Sequence, residues 1–109
     1  MKHWPAALRQ LAQQDVDDAL AYYLAEGGEA TGLGFIDALE QALTHLSRQP
    51  ATGSPRYAHE LNLPGLRSWP LTRYPYLVFY VVQSDHVDVW RILQAQRDIP
   101  AWMQDGDSL

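Results

Sequence analysis

The stretch RYPYLVFYVVQSDHVDVWRILQAQRD, residues 73–98, decides the fold of this chain. It holds two apolar runs, Tyr76–Val82 and Val87–Leu93, separated by the polar tetrapeptide QSDH. The first run is apolar at both alternating positions, which is typical of a central strand covered on both faces. A short polar connection between two such runs favours a tight hairpin turn. The stretch therefore predicts two neighbouring antiparallel strands.

Working outward, the pattern predicts a third strand at Leu66–Leu71, and the segment KHWP near the N-terminus is a candidate fourth strand at a sheet edge. Residues 50–65, PATGSPRYAHELNLPG, hold three prolines and two glycines and are predicted to form a loop. The acidic tail from Ala101 onward is predicted to fray.

The first half of the chain carries two apolar stripes with helical spacing. Gly27 and Gly28 end the first predicted helix, and Pro50 stops the second. Two helices joined by so short a linker must lie antiparallel. The stripes comprise Leu8, Leu11, Ala12, Val16, Ala19, Leu20, Tyr23 and Leu24, then Phe35, Ile36, Leu39, Ala42, Leu43 and Leu46. We expect one α+β domain over residues 1–109, with an N-terminal helical hairpin packed on a small antiparallel sheet of three to four strands.

Composition excludes several classes of function. The chain has no cysteine, and its four histidines lie far apart, so we expect neither a disulfide nor a metal or cofactor site. No apolar run approaches the roughly 20 residues of a membrane span. The start MKHWPAALRQ lacks the apolar core of a signal peptide, which predicts a cytoplasmic protein without membrane contact.

Charge is distributed unevenly along the chain. The net charge of −5 argues against direct nucleic-acid binding, which depends on neutralising phosphates. Residues 1–50 carry three basic and seven acidic side chains, whereas residues 51–97 carry five arginines and three acidic side chains. The second half is therefore mildly basic, and its arginines cluster near the predicted strands.

Arg91 stands out among these arginines because it interrupts the alternation of Val87, Val89 and Leu93. An arginine on an apolar face needs a partner. That partner is either an internal carboxylate, for which Asp98 is a candidate, or a group bound from outside, and the sequence leaves both alternatives open. Aromatic residues in strands usually belong to the core, but Tyr76 and Trp90 are the best placed to line a groove.

The order of these segments resembles the RelE/ParE toxin superfamily, in particular the ParE-like plasmid-stabilisation branch. The resemblance rests on YYLAEGG, FIDALEQALTHLSRQP, YPYLVFY and WRILQAQRDIP, and it extends from about residue 5 to residue 102. It implies the toxin of a bacterial type II toxin–antitoxin pair, neutralised by a cognate ParD-like antitoxin. ParE-like members poison DNA gyrase, whereas RelE-like members are ribosome-dependent mRNA endoribonucleases.

The residues present favour the ParE-like alternative, a toxin that is not an enzyme. Ribonucleases of this superfamily use Lys/Arg clusters with a histidine or tyrosine. Here Lys2 is the only lysine, and Gln94, whose amide cannot exchange a proton near neutral pH, stands where relatives often carry histidine. The ribonuclease alternative would have to use His59, His86, Tyr74 or Tyr76. A third alternative is a degenerate toxin that only binds its antitoxin.

The resemblance also suggests a binding surface. We expect an acidic antitoxin segment to contact arginines along the sheet, because a guanidinium binds carboxylates in bidentate fashion. An antitoxin helix is expected to pack along the hairpin on apolar residues outside the narrow stripes, namely Leu8, Tyr22 and Leu33. The candidate antitoxin- or target-binding residues are Arg67, Arg73, Tyr76, Trp90, Arg91 and Arg97.

Overall fold

The computed structural model describes residues 3–96 and 98–105 of the chain. One four-stranded sheet has the order β1-β4-β3-β2, and an N-terminal helix folds over it. The elements are β1 (Ala6–Leu8), α1 (Gln10–Arg48), α2 (Arg56–Leu61), β2 (Leu66–Pro70), β3 (Tyr76–Val82), β4 (Val87–Gln94) and α3 (Ile99–Asp105), with a 3-10 turn at Pro50–Thr52. The predicted α+β class is confirmed. Within the described residues no helix is both long and apolar enough to cross a membrane.

The predicted helical hairpin is present as a break within α1. Gly28 has φ 80° and ψ −169°, which is not helical and divides α1 into a first arm, residues 10–27, and a second arm, residues 29–48. A straight helix of 39 residues would measure about 58 Å, yet the longest dimension of the molecule is 38 Å. The arms touch where a Cβ added to Gly32 would lie 2.5 Å from the Leu24 side chain. The chain therefore reverses at Gly28, a conformation that favours glycine.

The three predicted strands are confirmed to within one residue at each end. Strands β2, β3 and β4 are antiparallel, and the turn after β3 is closed by the Gln83 N–H, which donates to the His86 carbonyl at 2.8 Å. The register changes along β4, because Phe79 pairs with Arg91 while Tyr80 pairs with Val89. The extra residue, Trp90, forms a β-bulge.

This bulge corrects the face predicted for Arg91. The sequence alternation placed Arg91 on one face with Val87, Val89 and Leu93. In the structure Val87 and Val89 pack under the hairpin, whereas Leu93 packs on the opposite side of the sheet. Arg91 pairs with Phe79, which also belongs to that opposite side. A bulge shifts the alternation by one residue, and the sequence pattern did not indicate it.

Three further expectations need correction. The edge strand is β1 at Ala6–Leu8 rather than KHWP, and it runs parallel to β4; Lys2 lies outside the described residues. The predicted loop at 50–65 contains the 3-10 turn and α2, which is followed by Asn62 in the left-handed conformation. The tail does not fray at Ala101, because α3 extends to residue 105 and buries Ile99 and Met103; residues 106–109 lie outside the described residues.

The sheet is covered on both faces, which explains the double apolar pattern of β3. The hairpin packs on one face, and α2 and α3 lie on the other. The hairpin-side core includes Ala12, Ala19, Phe35, Leu39, Ala42, Leu46, Tyr76, Val78, Tyr80, Val87, Val89 and Ile92. The opposite core includes Leu66, Phe79, Leu93, Ile99 and Met103, with Tyr57 and Trp102 packed against it.

Stretches of both borders of the sheet are hydrogen-bonded to other parts of the chain. Past the end of β1, the Ile92 N–H donates to the Asp15 carboxylate at 2.9 Å. Along the outer side of β2, the Leu66 N–H donates to the Leu63 carbonyl and the Ser68 N–H donates to the Ser54 carbonyl. The next residue of β2 whose backbone faces outward is Pro70, which has no N–H to donate. The outward-facing donors of β2 are therefore all accounted for.

Candidate functional site

Arg91, the arginine singled out by the sequence, is engaged inside the protein. Its Nε and Nη2 donate to the two carboxylate oxygens of Asp15 at 2.8 and 2.9 Å, and its Nη1 donates to the Trp102 carbonyl at 2.8 Å. The side chains of Arg91 and Asp15 are only 7% and 9% exposed. The carboxylate that pairs with Arg91 is thus Asp15, from the first arm of the hairpin. This geometry matches the internal-partner alternative, with a partner that the sequence did not indicate.

Trp90 is held in a second ion-pair network. Arg9 donates from Nε and Nη2 to the Asp88 carboxylate at 3.1 and 2.9 Å, and its guanidinium lies 4.5 Å from the centre of the Trp90 ring. The Trp90 indole N–H also donates to Asp88 at 3.1 Å. Burial by itself raises the pKa of Asp88, but the hydrogen bonds from Arg9 and Trp90 outweigh it and hold that pKa below its usual value. The half-buried Trp90 side chain is therefore held in place by contacts with Arg9 and Asp88 of the same protein.

Tyr76 is 7% exposed and belongs to the hairpin-side core. It borders a cleft of about 310 Å³ between the first arm and the end of β4. Gln94 lines the same cleft, so the position where relatives often carry histidine faces a cavity here. Asp15, Asp18, Tyr22 and Trp102 complete most of its wall.

Arg73 lies apart from the other arginines, in the loop that connects β2 and β3. It is exposed and has φ 75°, a left-handed conformation that is uncommon for a residue with a side chain. The neighbouring Tyr74 anchors this loop, because its hydroxyl donates to the Thr31 carbonyl of the second arm at 3.0 Å.

Arg67 is half-buried on β2, on the hairpin side of the sheet. Its Nη1 donates to the Gly53 carbonyl at 2.7 Å. Beside it lies a second cleft, of about 640 Å³, which we call the cationic cleft. Its described lining consists of Trp4, Arg48, Gln49, Pro50, Ala51, Thr52, Gly65, Arg67 and Val82.

The structure thus does not bring the described candidate residues together into one patch. Arg67 and Arg91 lie two strands apart, about 10 Å between backbones, and on opposite faces of the sheet. Trp90 and Tyr76 also belong to the two different cores. Arg97 lies outside the described residues.

Three large apolar side chains near the end of the hairpin, on both sides of Gly28, are exposed. Tyr22, Leu24 and Leu33 are 52%, 44% and 60% exposed, and we call these three residues the hairpin tip patch. The sequence placed two of these residues, Tyr22 and Leu33, outside the buried stripes. Leu8 was likewise expected to contact an antitoxin helix, and that expectation is corrected, because Leu8 is half-buried in β1 and packs against the core.

The residues that a ribonuclease would need do not converge. His86 lies at the turn after β3, where its Nδ1 is 2.7 Å from Asp85 Oδ1, whereas Tyr74 and Tyr76 lie at the other end of that strand, about 20 Å away along the backbone. His59 is exposed on α2, which packs with β2. Among the described residues, no group of three histidine, aspartate or glutamate side chains gathers as metal ligands would.

Comparisons with known proteins agree with this architecture. A family model described as the ParE toxin of the type II toxin–antitoxin system parDE matches residues 7–99. A chain in the solved structure of the chromosomal ParDE toxin–antitoxin system from P. aeruginosa superposes with a TM-score of 0.68 at 20% identity, covering 84% of this chain and 98% of that one. At that identity the structural match shows the fold. No curated protein matches the chain significantly in sequence.

Proposed function

Because this chain belongs to the ParE toxin family of type II toxin–antitoxin systems, we propose that it arrests bacterial growth by binding DNA gyrase in the cytoplasm and is neutralised by a cognate ParD-like antitoxin. The observation that carries this proposal is the family match, which spans nearly the whole folded chain from residue 7 to residue 99. The resemblance to ParE-like toxins supports gyrase as the proposed target.

The arrangement of side chains supports an action through protein binding rather than catalysis. A ribonuclease needs a proton acceptor and a proton donor within hydrogen-bond reach of one phosphate, and His86 and Tyr76 lie at opposite ends of β3. The hairpin tip patch presents three large apolar side chains to solvent instead. Large exposed apolar side chains of this kind are candidates for a protein interface.

We propose two contact regions for partners. An amphipathic helix of the antitoxin packs along the hairpin and covers the hairpin tip patch. An extended acidic segment contacts Arg67, and Arg73 in its exposed loop is a further contact for antitoxin or target. Arg91 acts from within, by holding the first arm and α3 against β4 through Asp15 and Trp102.

Controlled expression without antitoxin tests the toxic activity. Growth arrest with filamentation and DNA damage, together with inhibition of purified gyrase in a supercoiling assay, is the expected result. Rapid loss of translation with intact DNA, and mRNA cleavage on purified ribosomes, would replace this proposal with the ribonuclease alternative. No growth phenotype at high expression of folded protein would identify a module that only binds its antitoxin.

The hairpin contact is tested with Leu33→Asp. Leu33 is 60% exposed, so we expect the unfolding free energy to change by less than about 0.5 kcal/mol. Antitoxin affinity, measured by calorimetry, should fall at least about tenfold because a charge replaces buried apolar area. Thr44→Asp, an exposed substitution elsewhere on the second arm, is the matched control and should leave affinity unchanged. Equal affinities for the two variants would place the antitoxin helix elsewhere.

A further inference from the structure

We propose that the cationic cleft is a preformed receptor for a carboxylate next to an apolar side chain, with Arg67 as its anchor and Arg48 as its second cation. The occupant is an extended acidic peptide segment of the antitoxin, and in that identification the inference rests on the proposed function. The inference assigns the acidic antitoxin segment to the cationic cleft. It also adds Arg48, which the sequence analysis did not select, to the residues that contact this segment.

The wall of the cleft is rigid because a buried tyrosine organises it. Tyr80 is 0% exposed, and its hydroxyl donates to the Pro50 carbonyl at 2.6 Å while accepting from the Gly53 N–H at 3.0 Å. Any side chain at Gly53 would collide with this hydroxyl, since an added Cβ would lie 2.2 Å from it. The 3-10 turn at Pro50–Thr52 is thereby fixed against the sheet before any ligand arrives.

Arg67 is oriented by the same turn. Its Nη1 donates to the Gly53 carbonyl at 2.7 Å, which fixes the plane of the guanidinium and leaves further N–H groups to face the cleft. A guanidinium whose orientation is already fixed loses little entropy when it binds a carboxylate. Arg67 is therefore suited to anchor an anion.

The charge of the cleft is opposite to that of the molecule. Arg48 and Arg67 both line it, and none of its described lining residues is acidic. Arg48 is exposed, and within residues 3–96 and 98–105 no hydrogen bond or ion pair engages it. In a chain of net charge −5, such a cleft is a local site for anions.

The remaining lining selects a peptide over RNA. Trp4, Pro50 and Val82 supply apolar surface beside the two arginines. A carboxylate followed by an apolar side chain satisfies both parts, whereas RNA binding depends on the neutralisation of many phosphates. The net charge of −5 opposes the long-range attraction that RNA binding requires.

The test uses nuclear magnetic resonance with the full-length protein and an acetylated, amidated hexapeptide of alternating leucine and glutamate. We expect the Trp4 indole and the backbone amides of Thr52 and Gly65 to shift on titration, and the shifts to weaken as salt is added. The same peptide with glutamine in place of glutamate should shift none of them. Shifts confined to other regions, or a stronger response to a single-stranded uridine decamer than to the peptide, would overturn the assignment.

Three variants locate the anchor. Arg67→Gln should weaken peptide binding about tenfold or more because it removes an oriented, partly buried guanidinium. Arg48→Glu should weaken it at least about threefold, and since Arg48 is exposed this change leaves the fold intact. Arg56→Gln is the control, because Arg56 is an exposed arginine on α2 that pairs with Glu60 at 3.3 Å outside the cleft. Unchanged affinity in folded Arg48→Glu, or an equal loss in Arg56→Gln, would refute the proposal.

Failure of this inference is distinguishable from failure of the proposed function. Peptide binding at the cleft is measured in vitro and does not depend on toxicity or on gyrase. If the protein binds the peptide but does not arrest growth, the inference about the cleft stands and the proposed toxic activity is wrong. If the protein is toxic but its cleft does not bind the peptide, the proposed function stands and the inference about the cleft is wrong.

Discussion

Replacing Asp15 by asparagine should destabilise the protein more than any other conservative substitution of a polar residue in α1. Asp15 accepts three hydrogen bonds of 2.8–2.9 Å, two from Arg91 and one from the Ile92 N–H. Removing the negative partner of a buried ion pair leaves an uncompensated charge, at a cost of about 3–5 kcal/mol. The asparagine carbonyl can still accept from Ile92, and Arg91 retains the Trp102 carbonyl, so we expect the low end, about 3 kcal/mol.

This loss is large for a chain of 109 residues. It is a fifth or more of a typical total stability of about 5–15 kcal/mol, and it corresponds to a fall in melting temperature of roughly 12 °C. Urea unfolding followed by circular dichroism measures it. Asp17→Asn is the matched control, because Asp17 is exposed two residues away, and it should cost less than about 0.5 kcal/mol.

A double variant separates the charge effect from the packing effect. Asp15→Leu combined with Arg91→Met replaces the pair by apolar side chains, and such replacements of buried ion pairs are often neutral or stabilising. The Ile92 N–H then lacks its acceptor, which costs about 1–3 kcal/mol. We expect the double variant to be more stable than Asp15→Asn. If Asp15→Asn unfolds at the same urea concentration as Asp17→Asn, the ion pair does not stabilise the fold and the reasoning fails.

Three further predictions concern other contacts. Burial raises the pKa of Tyr80, outweighing the opposite effects of the Gly53 N–H and Arg67. The folded state therefore keeps the Tyr80 proton above about pH 10, the pKa of tyrosine in the unfolded chain, so the stability of the protein falls as pH rises beyond that value. Tyr80→Phe should make the urea midpoint depend less on pH in this range. The same substitution should cost about 1–3 kcal/mol at pH 7 by leaving buried backbone groups without partners. Because the pKa of Asp88 is lowered in the folded protein, its ionised carboxylate contributes to stability above about pH 4, and this contribution is lost as pH falls through the pKa of Asp88 in the folded state. Asp88→Asn should therefore make the melting temperature less sensitive to acid. Gly28→Ala should cost about 1–3 kcal/mol in thermal unfolding from its backbone conformation alone, because nothing lies within 4 Å of an added Cβ.

The sequence predicted the elements whose signals are local. The double apolar pattern of Tyr76–Val82 gave the central strand, and Gly28 gave the hairpin break, because strand periodicity and backbone conformation depend on neighbouring residues. Helix α2 was missed, since its six residues are flanked by the proline and glycine signals of a loop. Helix α3 was missed because its stability comes from burying Ile99 and Met103 on the sheet, which no local pattern reveals.

The candidate site was predicted less completely, for a physical reason. Sequence can mark an arginine as anomalous, as it did for Arg91, but the partner is set by the register of distant segments. Asp15 lies 76 residues away from Arg91 and resembles its exposed neighbours Asp17 and Asp18 in sequence. The bulge at Trp90 placed Arg91 on the side of the sheet opposite Val87 and Val89, and a single extra residue in a strand leaves no signal in the alternation.

The hydrogen bonds along the borders of the sheet have a consequence for self-association of the folded chain. A strand with free donors and acceptors is a template on which a second copy can assemble, and such pairing leads to aggregates. In this chain the outward N–H groups of β2 are bonded or replaced by Pro70, and Asp15 occupies the Ile92 N–H at the opposite border. Along these two stretches the folded chain therefore offers few unpaired donors for edge-to-edge growth.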